Sequence, residues 1–283
     1  MRLSVIIPTR NRAPLWRSGW TIKPLLAQTD PPDELLVALD NPDDDTLAAV
    51  QDATRSAPFP VRILELLAGR PGPNPASAIP DNCLFHAATG DILLHLDDDC
   101  HCHPDLCRQI RTLLATLPRA IIWLLCNFVD EDHRPLANYD RRDCRADMAA
   151  RHKWPTLPGG IAQLPSNRIL HWGPAWAVPR REILAIGGHC LALAQFHNSD
   201  TRLGNRLTQN GCSSFIGLIQ ELSVDHLGPT WHAKHKHDQH AIRESNGPFY
   251  GRIIANGGPN FWDSDWIRAA YRELDTHTNA PTI

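Results

Sequence analysis

The chain has 283 residues, 42% of them hydrophobic and 21% charged, and its 28 Lys and Arg against 31 Asp and Glu leave a net charge of −3. That balance excludes a disordered chain, and no apolar run approaches the ~18 residues that a membrane span needs. At about 150 residues per domain the length fits one large domain or two small ones, and the near-neutral charge predicts no nucleic-acid footprint.

The N-terminus lacks the basic, apolar and small-residue regions of an export signal, since Met1 and Arg2 run directly into Leu3 and then Pro8. With no such signal, the eight cysteines are expected as reduced thiols in a cytoplasmic protein without a structural disulfide. Short apolar runs at 3–7, 35–39, 61–66, 92–96 and 120–125 are bounded by Pro, Gly, Asn or Asp and predict strands buried on both faces. Between them, helical spacing covers 14–28, 43–55, 76–88 and 104–117. Strand and helix alternate, so the first ~125 residues predict an α/β fold with a mostly parallel sheet flanked by helices. The scattered Pro135, Pro155, Pro158 and Pro165 make 128–170 a long loop or small insertion. A strand is expected at 173–178, a helix at 200–210 with Gly211 past its end, and the last ~55 residues are rich in His, Gly and Trp.

In an open parallel sheet ligands bind beyond the carboxyl ends of the strands. Here those ends are acidic: Asp40, then Asp43 to Asp45, then Asp97, Asp98 and Asp99. Asp43 to Asp45 fit a solvated loop ahead of a helix near Thr46. Asp97 to Asp99 follow a buried strand directly, and carboxylates so close repel unless a cation or solvent compensates them. Strand alternation puts Asp97 and Asp99 on one side and Asp98 on the other, which suits a divalent cation held by hard oxygen ligands. Cys100-His-Cys-His103 lacks the paired spacing of a zinc site and is expected as loop and first helical turn.

Val-Ile-Ile-Pro-Thr-Arg-Asn-Arg at 5–12, Leu-Val-Ala-Leu-Asp at 36–40, Asn82 with Ala-Ala-Thr-Gly-Asp at 87–91, and Leu-His-Leu-Asp-Asp-Asp at 94–99 resemble, in order and spacing, family 2 of the nucleotide-sugar glycosyltransferases. The likeness continues through Gly-Pro-Ala-Trp-Ala-Val-Pro-Arg at 173–180, Gly187 and Gly188, and Asn-Ser-Asp-Thr-Arg-Leu-Gly-Asn-Arg-Leu at 198–207. The resemblance implies the GT-A fold, a Rossmann-like sheet. It implies a glycosyltransferase domain over 1–228, with a nucleotide-sugar-binding half at 1–127, a loop or insertion at 128–170 and an acceptor and catalytic half at 171–228. Residues 229–283 are left as an extension that packs on the domain.

It also implies roles. Pro8, Thr9 and Asp40 fall where the family holds base and ribose, and Arg12 and Arg70 stand where a guanidinium meets a pyrophosphate or simply faces solvent. Asp97 and Asp99 match the Asp-x-Asp motif that carries Mn²⁺ or Mg²⁺ against the donor's phosphates, with Asp98 toward ribose or sugar, and His226 matches a late histidine that completes the ion's shell. Asp200 matches the general base of an inverting transfer, although Ser199 replaces the family's preceding Glu. The partners so implied are a nucleoside-diphosphate sugar, of the UDP class, and an acceptor hydroxyl on a glycan, a small molecule or a modified nucleic-acid base. Trp154, Trp172, Trp176 and Trp231 are candidates to stack on a ring or to fill local core. The competing reading is a non-catalytic module that binds nucleotide sugar or nucleic acid and carries a His-rich metal-binding tail formed by His232, His235, His237 and His240.

Overall fold

The computed structural model of the chain describes residues 1–40, 44–66, 78–136, 145–165, 173–189, 199–228 and 271–274. The apolar runs form strands where expected: β1 (Leu3–Thr9), β2 (Glu34–Leu39), β3 (Val61–Leu66) and β4 (Ile92–Leu96). β1 pairs in parallel with β2 and β4, and β2 with β3. Along these strands the alternation of side chains sorts two cores. Leu3, Val5, Ile7, Leu35, Val37, Leu39, Leu94 and Leu96 pack on one face with α1 (Ala13–Ser18), α2 (Ile22–Leu26), α3 (Asp44–Thr54) and α5 (Leu106–Thr116). Ile6, Leu36, Ala38 and Leu93 pack on the other with α4 (Ala78–Ala87), α7 (Arg180–Ala185) and α8 (Ser199–Gln209). Burying each such Leu or Ile contributes about 1.5–3 kcal/mol, so slipping one strand by a residue would reverse both cores.

Beyond β4 the sheet departs from parallel order. β10 (Ala175–Pro179) runs antiparallel to both β4 and β6 (Ala120–Trp123); β11 (Ser213–Gly217) is parallel to β6; β9 (Ile161–Gln163) and β8 (Thr156–Leu157) form an antiparallel edge. At the opposite edge β13 (Tyr271–Leu274) pairs antiparallel with β3, giving the order β13-β3-β2-β1-β4-β10-β6-β11-β9-β8. A second, small sheet has the order β5-β12-β7, from β5 (Cys100–Cys102), β12 (Ser223–Leu227) and β7 (Leu125–Val129).

Four details differ from the sequence expectation. Helical spacing over 14–28 hides a break at Gly19, whose φ of 75° ends α1 before α2 begins. The run at 120–125 divides at Leu124 into β6 and β7, which belong to different sheets. The 128–170 stretch carries α6 (Arg145–Arg151) and the β8–β9 hairpin. Cys100-His-Cys is strand rather than loop. The six described cysteines, Cys83, Cys100, Cys102, Cys107, Cys126 and Cys212, are buried free thiols. No described helix is long and apolar enough to cross a membrane.

Candidate active site

The acidic triplet begins where β4 ends, and its backbone is pinned from three directions. The Asp97 amide donates to Pro174 O at 2.7 Å, Thr21 Oγ1 donates to Asp98 O at 2.5 Å, and Trp20 Nε1 donates to Asp99 O at 2.9 Å. These bonds hold the triplet in a turn just past the end of β4, so it is the turn, not strand alternation, that sets the directions of the three carboxyl groups. Asp98 turns toward β1, where Thr9 Oγ1 donates to its Oδ2 at 2.5 Å while accepting from Trp16 Nε1 at 3.0 Å. Arg12 spans the gap, with Nε 3.8 Å from Asp98 Oδ1 and Nη1 3.8 Å from Asp99 Oδ2.

Asp97 and Asp99 meet His226 instead. In the small sheet His226 is opposite Cys100 on one side and Phe128 on the other, which brings its Nε2 to 3.1 Å from Asp99 Oδ1. Among the described residues Asp97, Asp99 and His226 are the group whose ligand atoms all lie within 4.8 Å of one another. Two hard carboxylate oxygens and one imidazole nitrogen form a donor set that a divalent ion of the Mn²⁺ kind accepts. The electrostatics agree. Burial pushes Asp97 well up, assisted by the like charges of Asp99 and Asp200 and opposed by His95 and His226. Burial likewise raises Asp98 to about 6 against the pull of Arg12. His226 is raised because Asp99 outweighs the effect of its own burial. A cation at this point would relieve the repulsion among the carboxylates.

Asp200 opens α8, and burial raises its carboxyl while the Gly173 N–H donates to it. It lies within electrostatic reach of Asp97, His95, His189 and Asp81. The last three form a buried cluster that sequence reasoning missed. His95 Nε2 is 3.2 Å from Asp81 Oδ1 and His189 Nε2 is 3.3 Å from Asp81 Oδ2. Alternation on β4 puts His95 on the face covered by α4 and α8, which supply Asp81 and Asp200, and Asp97 follows just past the strand's end. Asn82 fixes His189, donating through Nδ2 to His189 O at 3.0 Å and accepting its amide at 2.8 Å. Burial raises Asp81, yet His95 and His189 outweigh it and lower the carboxyl to about 2, while Asp81 holds His95 up at about 9 against its own burial. The available signal was a single histidine inside the apolar run Ile92-Leu-Leu-His-Leu96.

The remaining candidates line the same strand ends. Pro8 and Thr9 sit in β1 opposite Ala38 and Leu39. Asp40 follows β2, is buried, donates its amide to Thr9 O at 3.0 Å and pairs with Arg10 at 3.4 Å. Arg70, Trp172, Trp231 and the four tail histidines lie outside the described residues. Trp176 is core, fully buried and stacked on His95 with centroids 4.8 Å apart, and is not placed to meet an acceptor; Trp154 is partly buried against the same core.

An open α/β sheet with helices on both faces, acidic residues at the strand ends and an Asp-Asp-His cluster beside them defines a protein of the GT-A type. Residues 4–166 match the sequence profile of Glycosyl transferase family 2, and the chain belongs to that family. No curated protein matches it in sequence. Among solved structures, a mannosyltransferase, PcManGT from Pyrobaculum calidifontis in complex with GDP-Man and Mn²⁺, is 19% identical, with a TM-score of 0.57 over 95% of this chain and 78% of that one. S. aureus TarS is 15% identical with a TM-score of 0.56, and its 1-349 fragment in complex with UDP-GlcNAc is 14% identical with a TM-score of 0.56. Both matches cover 81% of this chain, but the chain spans 37% of the longer TarS and 59% of the fragment.

Proposed function

We propose that this chain is a metal-dependent, inverting glycosyltransferase that moves a sugar from a nucleoside-diphosphate sugar, of the UDP class, to an acceptor hydroxyl. The observation that carries this reading is the convergence of Asp97, Asp99 and His226 at the end of β4, with Asp200 within electrostatic reach. The ligands named with the structural relatives, UDP-GlcNAc and GDP-Man with Mn²⁺, support a nucleotide-sugar donor and a divalent ion.

In this reading Asp97, Asp99 and His226 hold the ion, which supplies charge neutralisation for the departing nucleoside diphosphate. Pro8, Thr9 and Asp40 line the pocket for base and ribose, and Asp98, tied to Thr9, bounds it below the sugar. Arg12 stands by the phosphates, and Arg70 is assigned the same role from the sequence alone. Asp200 takes the proton from the acceptor hydroxyl as that oxygen attacks the anomeric carbon from the face opposite the leaving group. Burial raises the Asp200 carboxyl, which makes its carboxylate a stronger base than an exposed Asp. The acceptor belongs to the classes of glycan, small molecule or modified nucleic-acid base, and the extension after 228 packs on the domain.

Hydrolysis of UDP-, GDP- and dTDP-sugars with Mn²⁺ and no acceptor tests the reading. Turnover of one donor class that stops with EDTA and returns with Mn²⁺ is expected. Metal-independent turnover would overturn the metal assignment, and donor binding without any turnover would favour the binding-module reading.

A further inference from the structure

Strand register gives the small sheet two chemically different faces. Cys100, His226 and Phe128 face the Asp97–Asp99 cluster, whereas His101, Asp225 and Asn127, one residue along each strand, pair on the opposite face. There a cleft of about 360 Å³ is lined by His101, His103, Asn127, His133 and Asp225 among others.

The hydrogen bonds in this cleft fix two imidazole tautomers. His101 Nδ1 lies 3.1 Å from Trp20 O, and a carbonyl only accepts, so Nδ1 carries the proton. His133 Nδ1 lies 3.1 Å from Asp225 Oδ2, and Asn127 Nδ2 donates to Asp225 Oδ1 at 3.2 Å, so this Nδ1 also donates. In the neutral imidazoles both Nε2 atoms then present lone pairs. Histidines that ligate metal are prepared in this way, with one nitrogen anchored on a carbonyl or carboxylate and the other left to the ion.

The two rings are 4.5 Å apart, centroid to centroid. An ion bound at about 2.1 Å from each Nε2 sits about 3 Å from each centroid, so this separation fits neighbouring positions on one ion. Trp20 stacks on His133 at 4.4 Å and meets His101 edge-on at 5.4 Å, forming an apolar wall behind both. His133 is held at φ 60°, a left-handed backbone conformation that a histidine adopts at a cost.

We propose that His101 and His133 form a second metal site, for a nitrogen-preferring ion of the zinc class, with Asp225 and Asn127 as its outer support. Three protein ligand atoms do not converge here as they do at Asp97, Asp99 and His226, so the ion keeps positions open toward the cleft for water or a small anion. The Asp105 amide donates to His103 Nδ1 at 3.1 Å, which leaves the Nε2–H of the neutral ring to donate to such a ligand.

The test is Zn²⁺ titration of the full chain against a chromophoric chelator. The site should appear as one equivalent that His101→Ala and His133→Ala each weaken at least tenfold and that Asp99→Ala leaves in place. His133 is 42% exposed, so its variant folds even if His101→Ala does not. Replacing His232, His235, His237 and His240 together by alanine should leave this equivalent intact, and bound Cu²⁺ should show two imidazole nitrogens by paramagnetic resonance. No Zn²⁺ binding, survival of the equivalent in His133→Ala, or its loss in the tail or Asp99 variants would overturn the proposal. The readout is binding, so the outcome does not depend on the glycosyltransferase reading.

Discussion

Thr9 Oγ1 donates to Asp98 Oδ2 at 2.5 Å, so the end of β1 takes up the middle carboxylate of the triplet and leaves its two neighbours facing His226. The division of labour within Asp-Asp-Asp therefore comes from one hydroxyl on an adjacent strand and from the turn that follows β4.

Thr9→Val removes that donor and strands Trp16 Nε1, whose partner is the same hydroxyl. Losing bonds to a buried carboxylate and a buried indole costs about 1–3 kcal/mol. A urea midpoint shift of that size at unchanged slope is expected; no shift would mean that the contact is not formed in solution.

Asp99→Ala removes a ligand that also pairs with His226 at 3.1 Å. Mn²⁺ affinity measured by calorimetry should drop at least about tenfold, with a smaller loss in His226→Ala. Equal Mn²⁺ binding by all three proteins would move the ion elsewhere.

Asp200→Asn keeps the size of the side chain and removes the base. Donor binding should survive within about threefold while sugar transfer falls by about 10²–10⁴. If binding and turnover fell together, Asp200 would be a donor contact rather than the proton acceptor.

Acid and base should act on the metal-free chain through two sets of groups. Asp98, raised to about 6 chiefly by burial, contributes stability below the ordinary carboxylate range and loses it as pH rises through 6. Asp81 is lowered to about 2 by His95 and His189 against its burial, and His95 is raised to about 9 by Asp81 against its own. Asp81 therefore stabilises above 3.8 and His95 below 6.5, and the pair weakens only toward pH 2 or pH 9. Urea midpoints of the metal-free chain should fall between pH 4 and pH 7, and Mn²⁺ should restore more at pH 7 than at pH 5. In Asp81→Asn the further decline toward pH 9 should disappear.

Strand positions were legible because β1, β2 and β4 bury both faces and read as largely apolar runs, while β3, half-buried with Arg62 and Glu65 in it, still keeps Ile63 and Leu64 at its centre. Asp97 and Asp99 stand out as acids directly after a buried strand, although β4 ends at Leu96 and a turn rather than alternation orients them, and motif order nominates His226 and Asp200. Other features depend on partners distant in sequence. The three-residue β5 is too short to carry a period and is defined by β12, more than 100 residues later. Asp81 reads as an ordinary first-turn acid until the fold sets it against His95 and His189. Gly19 breaks a helical pattern that Trp16, Ile22 and Leu25 sustain across it, because they serve the same core from two helices.

The pairing of β13 with β3 gives the far end of the chain a second duty. An uncovered β3 would offer a row of free backbone donors and acceptors to any other strand in solution, and β13 occupies that row. Removing the segment after 228 is thus a change in colloidal behaviour before it is a change in chemistry: the shortened chain should self-associate through its open edge, at a rate that grows with concentration.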